Sequence, residues 1–329
     1  RQGVTAALKR LARGALGTAP LRGMLRARAL AADPVTVLCY HTLGPDQGGL
    51  DAWTVLRETD FRAHLSMLAE GYEIVSLDQA LADRPGRAGG GRPRAVLTFD
   101  DGEAGLYRHL LPMVEDLQVP VLVYVATAQI ESGRPYWFDR VMGALGSGAH
   151  SVRVPGLGVW DLPAAPGPER WAVLGGLLEA MKAVDPAQRE GLADGIVAAH
   201  PLPAGRAPLA PLTRAELDAL AASPWVTIGA HSHCHNLLDQ LAVAEAAASM
   251  ARSRDLLRDW TGQAVAHFAW PNGNHSAGLR AQAAALGFAT ASALDGGLWR
   301  QGADLFALPR VAVGRHDDAA RLRLRMIGI

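Results

Sequence analysis

The chain of 329 residues is 49% hydrophobic and carries 32 basic and 32 acidic residues, so its formal net charge is zero. This length and composition allow one large α/β barrel with an insertion, or two domains. The balanced charge, with basic residues that form no aromatic-interleaved patch, argues against nucleic acid as a partner.

Residues 1–32 form a basic segment in which no acid precedes Asp33. Apolar residues recur at helical spacing between Val4 and Leu16, which predicts a basic amphipathic helix. Such a helix can make peripheral contact with an anionic membrane surface; the alternative is a solvated helix packed on the exterior of the fold. The segment has no long apolar run of the secretory type. We expect a cytoplasmic location, with membrane association or secretion after removal of a leader as open alternatives.

From residue 33 to residue 315, short apolar strands alternate with helical segments in the βαβ manner. The predicted strands are Val35–Tyr40, Glu73–Ser76, Ala95–Phe99, Val119–Ala126, Trp225–Gly229, Ala264–Trp270 and Phe288–Ser292. The predicted helices are Thr59–Glu70, Leu77–Ala82, Leu106–Leu117, Leu241–Trp260 and Ala277–Leu286. This order predicts an α/β fold, a distorted and incomplete (β/α) barrel with its chemistry at the carboxyl ends of the strands.

The alternation lapses between Gly133 and Pro224, where the chain is rich in Gly, Ala and Pro. We interpret residues 134–223 as a helical insertion that caps the crevice, with helices at Glu169–Val184 and Thr213–Ala222. Residues 316–329 are predicted to form a C-terminal tail.

Two adjacent carboxylates, Asp100 and Asp101, follow the buried strand Ala95–Phe99, and Gly102 permits a turn directly after them. The carboxyl end of such a strand is where ligand crevices of α/β folds open. Because like charges held close together repel, a cation or another partner must compensate them. Taken alone, the stretch could also be a plain strand followed by an Asp-Gly turn.

A histidine cluster follows the predicted strand Trp225–Gly229. His231 and His235 are four residues apart, so a helical turn would put both imidazoles on one face, a spacing used for zinc. A zincin has glutamate directly after the first histidine, where this chain has Ser232, so the base must come from the aspartate pair. Cys234 is an alternative soft ligand. Cys39 and Cys234 are the chain's two cysteines, too few for a disulfide framework, and we expect reduced thiols.

These two motifs resemble the first two motifs of the polysaccharide deacetylases, the NodB-homology domain of carbohydrate esterase family 4, in residue type, spacing and chain order. The stretch from Phe268 to Gly273 resembles the family's third motif in its variant without a leading arginine. The strand ending in Tyr40-His41 resembles the opening strand of the family's exopolysaccharide branch. The stretch Leu308-Pro309-Arg310-Val311 resembles the C-terminal end of the domain in that branch. The resemblance covers roughly residues 35–313 and implies the family's incomplete barrel.

The resemblance also implies a mechanism. Asp101, His231 and His235 would ligate one divalent metal ion, most often Zn²⁺, and Asp100 would be the general base that takes a proton from water. Two imidazoles and one carboxylate also suit Co²⁺, Ni²⁺ or Fe²⁺. The backbone N–H of Asn272 would donate to the oxyanion.

The general acid and the residue that orients the base are less well specified. The leucine-x-histidine motif that carries the family's acid is absent in clear form. His316 is nearest by chain order, His275 follows the Pro-Asn-Gly turn, and His41 competes with both. Because the third motif lacks its arginine, Arg310 is the candidate for the orienting cation, with an ordinary strand-end salt bridge as the alternative.

Substrate contacts are predicted at His41, Trp137, Trp270 and Pro271. Aromatic faces in a cleft stack on sugar rings, and the stretch Tyr136–Asp139 resembles a tryptophan-aspartate piece of the exopolysaccharide branch. Trp137 could equally be a hydrophobic anchor for the insertion. Trp270, beside the oxyanion turn, is expected to line the acyl pocket.

The resemblance therefore predicts a metal-dependent N-deacetylase that acts on N-acetylglucosamine-type sugars in an exopolysaccharide or its lipid-linked precursor. Two alternatives stay open: a deformylase or other amidase acting on another lipid-linked amino sugar, and a catalytically inactive carbohydrate-binding member of the fold. The intact base and metal ligands disfavour the inactive member, whereas the unclear acid keeps it open.

Overall fold

The computed structural model describes residues 19–31, 33–83, 85–86, 91–201 and 209–327. Its strands are β1 (Val35–Tyr40), β2 (Thr42–Gly44), β3 (Val55–Arg57), β4 (Glu73–Ile74), β5 (Arg94–Phe99), β6 (Val121–Val125), β7 (Ser151–Val154), β8 (Gly158–Asp161), β9 (Val226–Ala230), β10 (His267–Ala269), β11 (Thr290–Ser292) and β12 (Val311–Ala312). Its α-helices are α1 (Ala19–Ala29), α2 (Glu58–Gly71), α3 (Leu77–Ala82), α4 (Leu111–Leu117), α5 (Thr127–Ser132), α6 (Trp137–Leu145), α7 (Pro168–Lys182), α8 (Pro186–Ala199), α9 (Arg214–Ala222), α10 (Val243–Thr261), α11 (Ala277–Ala285) and α12 (Ala319–Arg325).

The main sheet is parallel throughout and has the strand order β11-β10-β9-β6-β5-β1-β12, with the short β4 paired to the start of β5. It curls into a half-barrel, which confirms the predicted incomplete (β/α) barrel. Leu308, which precedes β12, links this part of the chain to β11. Its backbone N–H donates to the carbonyl oxygen of Ala291, and its carbonyl oxygen accepts from the backbone N–H of Ala293. This bridge carries Arg310 into the interior beside β5.

The central strands are continuous apolar runs because helices or loops cover both of their faces. Every residue of β1, β5 and β6 is buried, and these strands contribute to the main core. A run without alternation is the pattern from which the sequence predicts a buried parallel strand, and the observed bounds of β1 and β5 agree with the prediction within one residue.

The helix predicted at Leu106–Leu117 differs in its first half. Residues Leu106–Leu110 form a π-helical turn, and a regular α-helix follows from Leu111. Gly105 precedes that turn and lies against the backbone of Leu43, where an added Cβ would stand 2.2 Å from the carbonyl oxygen. The close approach requires glycine, and it holds the segment after the aspartate pair against β2.

Between β6 and β9 the chain builds a helical layer with its own hydrophobic core. This core includes Trp171, Leu174 and Leu178 of α7, and it is completed by Ala52 and Val55 from the loop before β3 and from β3 itself. No sequence pattern predicts helices α6 and α8 or the antiparallel β7–β8 hairpin of this layer. The layer covers the carboxyl edge of the main sheet.

Both ends of the described chain pack on the barrel exterior. Arg26 of α1 donates to the carbonyl oxygen of Gly71, and its guanidinium lies 5.7 Å from the ring centre of Tyr72. In the segment 316–329, Leu322 of α12 and Met326 are buried in the main core. The amphipathic helix predicted between Val4 and Leu16 lies outside the described residues. None of the helices in the described ranges has the length and apolar character needed to cross a membrane.

Candidate active site

The predicted metal ligands and the predicted base come together at the carboxyl edge of the sheet. Asp100 and Asp101 directly follow β5, and His231 directly follows β9. Because β6 lies between these two parallel strands, their carboxyl ends are close in space. The edge also receives His41 after β1 and the Pro271–Gly273 turn after β10.

Left-handed backbone conformations are concentrated at this edge. Of the six non-glycine residues with positive φ in the described chain, four lie here: Asp101 (75°), Ser232 (62°), His235 (55°) and Asn272 (57°). Such conformations are costly for residues with a side chain and persist where the surrounding structure imposes them. Residues 231–237 are not helical, so the two imidazoles do not share one face of a helical turn. The imidazoles converge through the left-handed turns at Ser232 and His235 instead.

Three side chains form a compact set of potential ligands. The Nε2 atom of His231 lies 3.4 Å from Oδ1 of Asp101, and Nε2 of His235 lies 3.1 Å from the same oxygen. The donor atoms of the three residues all lie within 4.8 Å of one another. A carboxylate oxygen and two imidazole nitrogens are the donor set of divalent transition metals. Asp101, His231 and His235 therefore fit one such ion.

Neighbouring groups fix the orientation of these ligands. Nδ1 of His231 lies 2.8 Å from the carbonyl oxygen of Ala269, so it carries the proton and leaves Nε2 to face Asp101. The hydroxyl of Tyr136 donates to the backbone oxygen of Asp101 at 2.5 Å. The ring of Tyr136 also packs edge-on against His235, with 5.2 Å between the ring centres.

Asp100 is held by a different set of donors. Nitrogens NH1 and NH2 of Arg310 donate to its two carboxylate oxygens at 2.7 and 2.8 Å, and the fully buried guanidinium also donates to the carbonyl oxygen of Ala293. Sγ of Cys39 lies 3.4 Å from Oδ2 of Asp100. Because burial raises the pKa of the Cys39 thiol, Cys39 is a neutral donor here. Asp100 lies outside the ligand set, with its carboxylate oriented by an arginine from the far end of the chain.

The charges of the two aspartates respond to these neighbours. Burial opposes ionisation of Asp100, but the positive charges of Arg310 and then of His231 outweigh it and hold the pKa of Asp100 below its ordinary value. Burial opposes ionisation of Asp101 as well, yet His235 and the hydrogen bonds from both histidines hold its pKa well below the ordinary value. Both carboxylates are therefore ionised at neutral pH.

The pKa values of the two histidines are shifted in opposite directions. Burial lowers the pKa of His235 and keeps its imidazole neutral, which is the state that ligates a metal. Burial also acts on His231, but Asp100 and Asp101 outweigh it and raise the pKa of His231. His233 points away from the site, because its Nδ1 lies 2.8 Å from the hydroxyl oxygen of Thr127.

These residues form the floor of a pocket whose other wall comes from the insertion. The barrel side of the pocket is lined by His41, Asp100, Asp101, His231, His235 and Asn272. The insertion side is lined by Trp137, Phe138, Gly175, Leu178, Glu179, Lys182 and Arg189. Trp53, Thr54, Leu237 and Leu294 complete the lining. Three lining residues are not predicted from the sequence, namely Trp53, Lys182 and Arg189. Each lies in a stretch without a motif, and only the tertiary packing brings it to the pocket.

The predicted substrate contacts divide into two groups. His41 and Trp137 line the pocket, but Trp137 is 7% exposed and also packs in the core of the insertion; Trp270 and Pro271 are buried and do not line the pocket. The indole N–H of Trp270 donates to the carbonyl oxygen of Phe306, so this ring is part of the packing beneath the turn. The structure therefore does not place Trp270 where an acyl pocket is expected.

Of the three histidines considered as general acid, the structure brings His41 to the pocket. His316 is exposed and does not line it. His275 lies behind the Pro271–Gly273 turn, with Nε2 3.0 Å from Oδ2 of Asp295. One ring nitrogen of His41 lies within 4.8 Å of a carboxylate oxygen of Asp100. Asn272 also lines the pocket, and no described residue accepts a hydrogen bond from its backbone N–H.

Known proteins share a sequence family and a fold with this chain. The sequence family described as polysaccharide deacetylase matches residues 88–291. No curated protein matches the chain in sequence.

Solved structures show the same fold at low sequence identity. The Streptococcus pyogenes deacetylase PplD in complex with acetate has a TM-score of 0.58 and 15% identity, over 89% of this chain and 98% of that one. IcaB from Ammonifex degensii has a TM-score of 0.58 and 19% identity, over 90% of this chain and 98% of that one. The BpsB deacetylase domain from Bordetella bronchiseptica has a TM-score of 0.51 and 19% identity, over 86% of this chain and 96% of that one.

Proposed function

The chain belongs to the polysaccharide deacetylase family, a family of hydrolases that act on amide bonds of acetylated sugars, and we propose that it removes acetyl groups from N-acetylglucosamine-type sugars with the help of one divalent metal ion. The observation that carries this proposal is that the two adjacent aspartates have different neighbours. Asp101 faces two imidazoles, whereas Asp100 stands beside that set and is held by Arg310.

The residues of the pocket supply the steps of an amide hydrolysis. A divalent ion held by Asp101, His231 and His235 would polarise the amide carbonyl and lower the pKa of water, and Zn²⁺, Co²⁺, Ni²⁺ and Fe²⁺ all suit this ligand set. Asp100 accepts the proton of the attacking water, because it is ionised and close to the ligand cluster. The backbone N–H of Asn272 donates to the oxygen that gains negative charge.

His41 is the residue we assign to protonation of the leaving amine. It lines the pocket together with Asp100, and neither His275 nor His316 does. The buried Nδ1 of His41 has no hydrogen-bond partner among the described residues. An imidazole is a suitable proton donor near neutral pH, and the amine cannot leave as an anion.

The substrate is proposed to be an exopolysaccharide or its lipid-linked precursor. Support comes from the match of the strand ending at His41 and of the stretch around Arg310 to the exopolysaccharide branch, and from the structural similarity to IcaB and the BpsB deacetylase domain. Trp53 offers an aromatic surface in the pocket for a sugar ring, whereas the ring of Trp137 is covered by Arg189. Trp53 is 37% exposed, which leaves it available for stacking.

The function is tested by acetate release from N-acetylglucosamine oligomers, with the purified protein loaded in turn with Zn²⁺, Co²⁺, Ni²⁺ or Fe²⁺. We expect acetate and free amine in equal amounts, loss of turnover after dialysis against a chelator, and recovery when the metal is restored. Formate release from a formylated amino sugar, without acetate release, would support a deformylase instead. Stoichiometric metal without turnover of any acylated glycan would favour a binding protein.

Replacing His41 by glutamine is expected to reduce kcat for the amide substrate by about a hundredfold, because the amine then leaves without its proton donor. The metal content should stay the same, since His41 is not in the proposed ligand set. The measurement is kcat for chitotetraose together with kcat for 4-nitrophenyl acetate, whose phenolate leaves without protonation.

The two substrates make the test specific. If His41 is the acid, the ester reaction of His41→Gln falls much less than the amide reaction. An equal loss for both substrates would contradict the assignment. The exposed His316 provides the matched control, and His316→Gln should leave both reactions unchanged.

A further inference from the structure

Arg189 is a buried cation in the wall of the pocket, and no step of the proposed reaction uses it. It lies in the first turn of α8 and is 2% exposed. Its guanidinium lies 5.1 Å from the ring centre of Trp137, and NH2 donates to the side-chain oxygen of Asn236 at 2.9 Å. Burying a guanidinium without a counter-charge is costly, so its position in the pocket needs a reason.

The carboxylates nearest to Arg189 in sequence are engaged elsewhere. Asp185 caps the start of α8 by accepting from the backbone of Ala187 and Gln188. Glu190 contacts Arg134 and Arg140. Within the described chain, no carboxylate forms an ion pair with Arg189, and its buried Nε has no hydrogen-bond partner. The positive end of the α8 dipole adds to the positive potential.

The other charged groups of the pocket are matched by partners. Asp100 is paired with Arg310, and Asp101 faces two imidazoles. Lys182 lies 2.6 Å from Glu179 and also donates to the side chain of Asn272. Arg189 is therefore the charged group of the pocket that forms no ion pair within the described chain, and burial lowers its pKa in spite of the charges of Glu190, Cys234 and Asp185.

The position of Arg189 is beside the reaction centre, not within it. Its hydrogen-bond partner Asn236 directly follows His235 in the chain. Arg189 stacks on the ring of Trp137, and this ring packs against Phe138. The ring centre of Phe138 is 5.4 Å from that of His235. A group bound by Arg189 would belong to a part of the substrate next to the acetamido group.

We propose that Arg189 is an anion subsite, which binds a carboxylate or phosphate carried by the substrate next to the N-acetylated sugar. The planar guanidinium is suited to both groups because it can donate to two of their oxygens at once. This inference rests on the proposed deacetylase function and adds to it the charge class of the substrate.

Two matched pairs of substrates test the inference on the metal-loaded, full-length protein. The carboxylate pair is a hyaluronan tetrasaccharide, which alternates N-acetylglucosamine with glucuronate, against neutral chitotetraose. The phosphate pair is N-acetylglucosamine 1-phosphate against methyl N-acetylglucosaminide. We expect kcat/KM for the anionic member of one pair to exceed that for the neutral member by about tenfold or more. The pair that shows the preference identifies the anion as carboxylate or phosphate.

Variants assign that preference to the guanidinium. Arg189→Met keeps the apolar packing on Trp137 but removes the charge, and the anionic-to-neutral ratio should fall close to one. Arg189→Lys keeps the charge without the two-pronged donor and should give an intermediate ratio. Arg134→Met is the control, because this arginine of the insertion is about half exposed and lies outside the pocket lining. Its ratio should equal that of the unmodified protein.

The outcomes separate the inference from the function on which it rests. Turnover of chitotetraose without preference in either pair overturns the anion subsite and leaves the deacetylase function in place. A preference that persists in Arg189→Met also overturns it. Absence of turnover on all four substrates overturns both proposals. Because the preference is first measured on the unmodified protein, a variant that fails to fold does not decide the result.

Discussion

Asp100→Asn is expected to retain the metal ion and to lose about a hundredfold to ten-thousandfold in kcat/KM for acetate release. The amide oxygen of asparagine can still accept a hydrogen bond from Arg310, but the side chain can no longer take up a proton. The ligand set of Asp101, His231 and His235 is untouched. The measurement combines steady-state kinetics on chitotetraose with the metal-to-protein ratio of the purified variant.

The neighbouring substitution has a different expected result. Asp101→Ala removes the carboxylate that lies within 3.4 Å of both imidazole nitrogens, so it should lose both the metal and the activity. The control is Asp116→Asn, which changes an exposed carboxylate at the end of α4 and should leave kinetics and metal content unchanged. Normal turnover by Asp100→Asn would show that the base is another residue.

Much of the fold follows from the sequence because the parallel strands are buried on both faces. Continuous apolar runs with turn residues at their ends mark β1, β5 and β6, and the structure confirms them. The helices of the insertion cannot be predicted in this way. In α8, alanine and glycine are spread around the helix, and the apolar spacing of α6 sits in a Gly- and Pro-rich context. These helices are defined by packing on each other, which a pattern within one segment does not report.

The site shows the same division. The Asp-Asp-Gly and histidine motifs are local in sequence, so their residues can be identified before the fold is known. How they meet cannot be identified in that way, since the histidines converge through left-handed turns and not through a helix. Trp53, Lys182 and Arg189 reach the pocket from three separate segments. Their contribution depends on tertiary placement, for which a single sequence contains no motif.

Arg310→Met is expected to have the largest effect on stability, about 3–5 kcal/mol, because it removes the counter-charge that is paired with the buried carboxylate of Asp100. The guanidinium is fully buried and makes hydrogen bonds to Asp100, Thr98 and Ala293, so no water replaces these donors without rearrangement. Equilibrium unfolding in urea measures the change. Arg134→Met removes solvent-exposed pairs with Asp194 and Glu190 and should cost about 1 kcal/mol or less.

Catalysis should change in a direction that identifies the role of Arg310. Without the guanidinium, burial acts on Asp100 unopposed by its main counter-charge, and the pKa of Asp100 rises. Because the base must be ionised to accept a proton, the acidic limb of the pH–activity profile should move to higher pH. A profile that stays in place would mean that Arg310 contributes to packing alone.

The double variant Asp100→Asn/Arg310→Met separates stability from chemistry. Removing both charges relieves the unpaired carboxylate, so part of the free energy of unfolding lost in Arg310→Met should return. Activity should remain as low as in Asp100→Asn, because the base is still absent. If the double variant were as unstable as the sum of the two single changes, the pair would not be coupled. The hydrogen bonds of Arg310 and those of Asp100 would then contribute separately to stability, and Arg310 would support β12 and not the base.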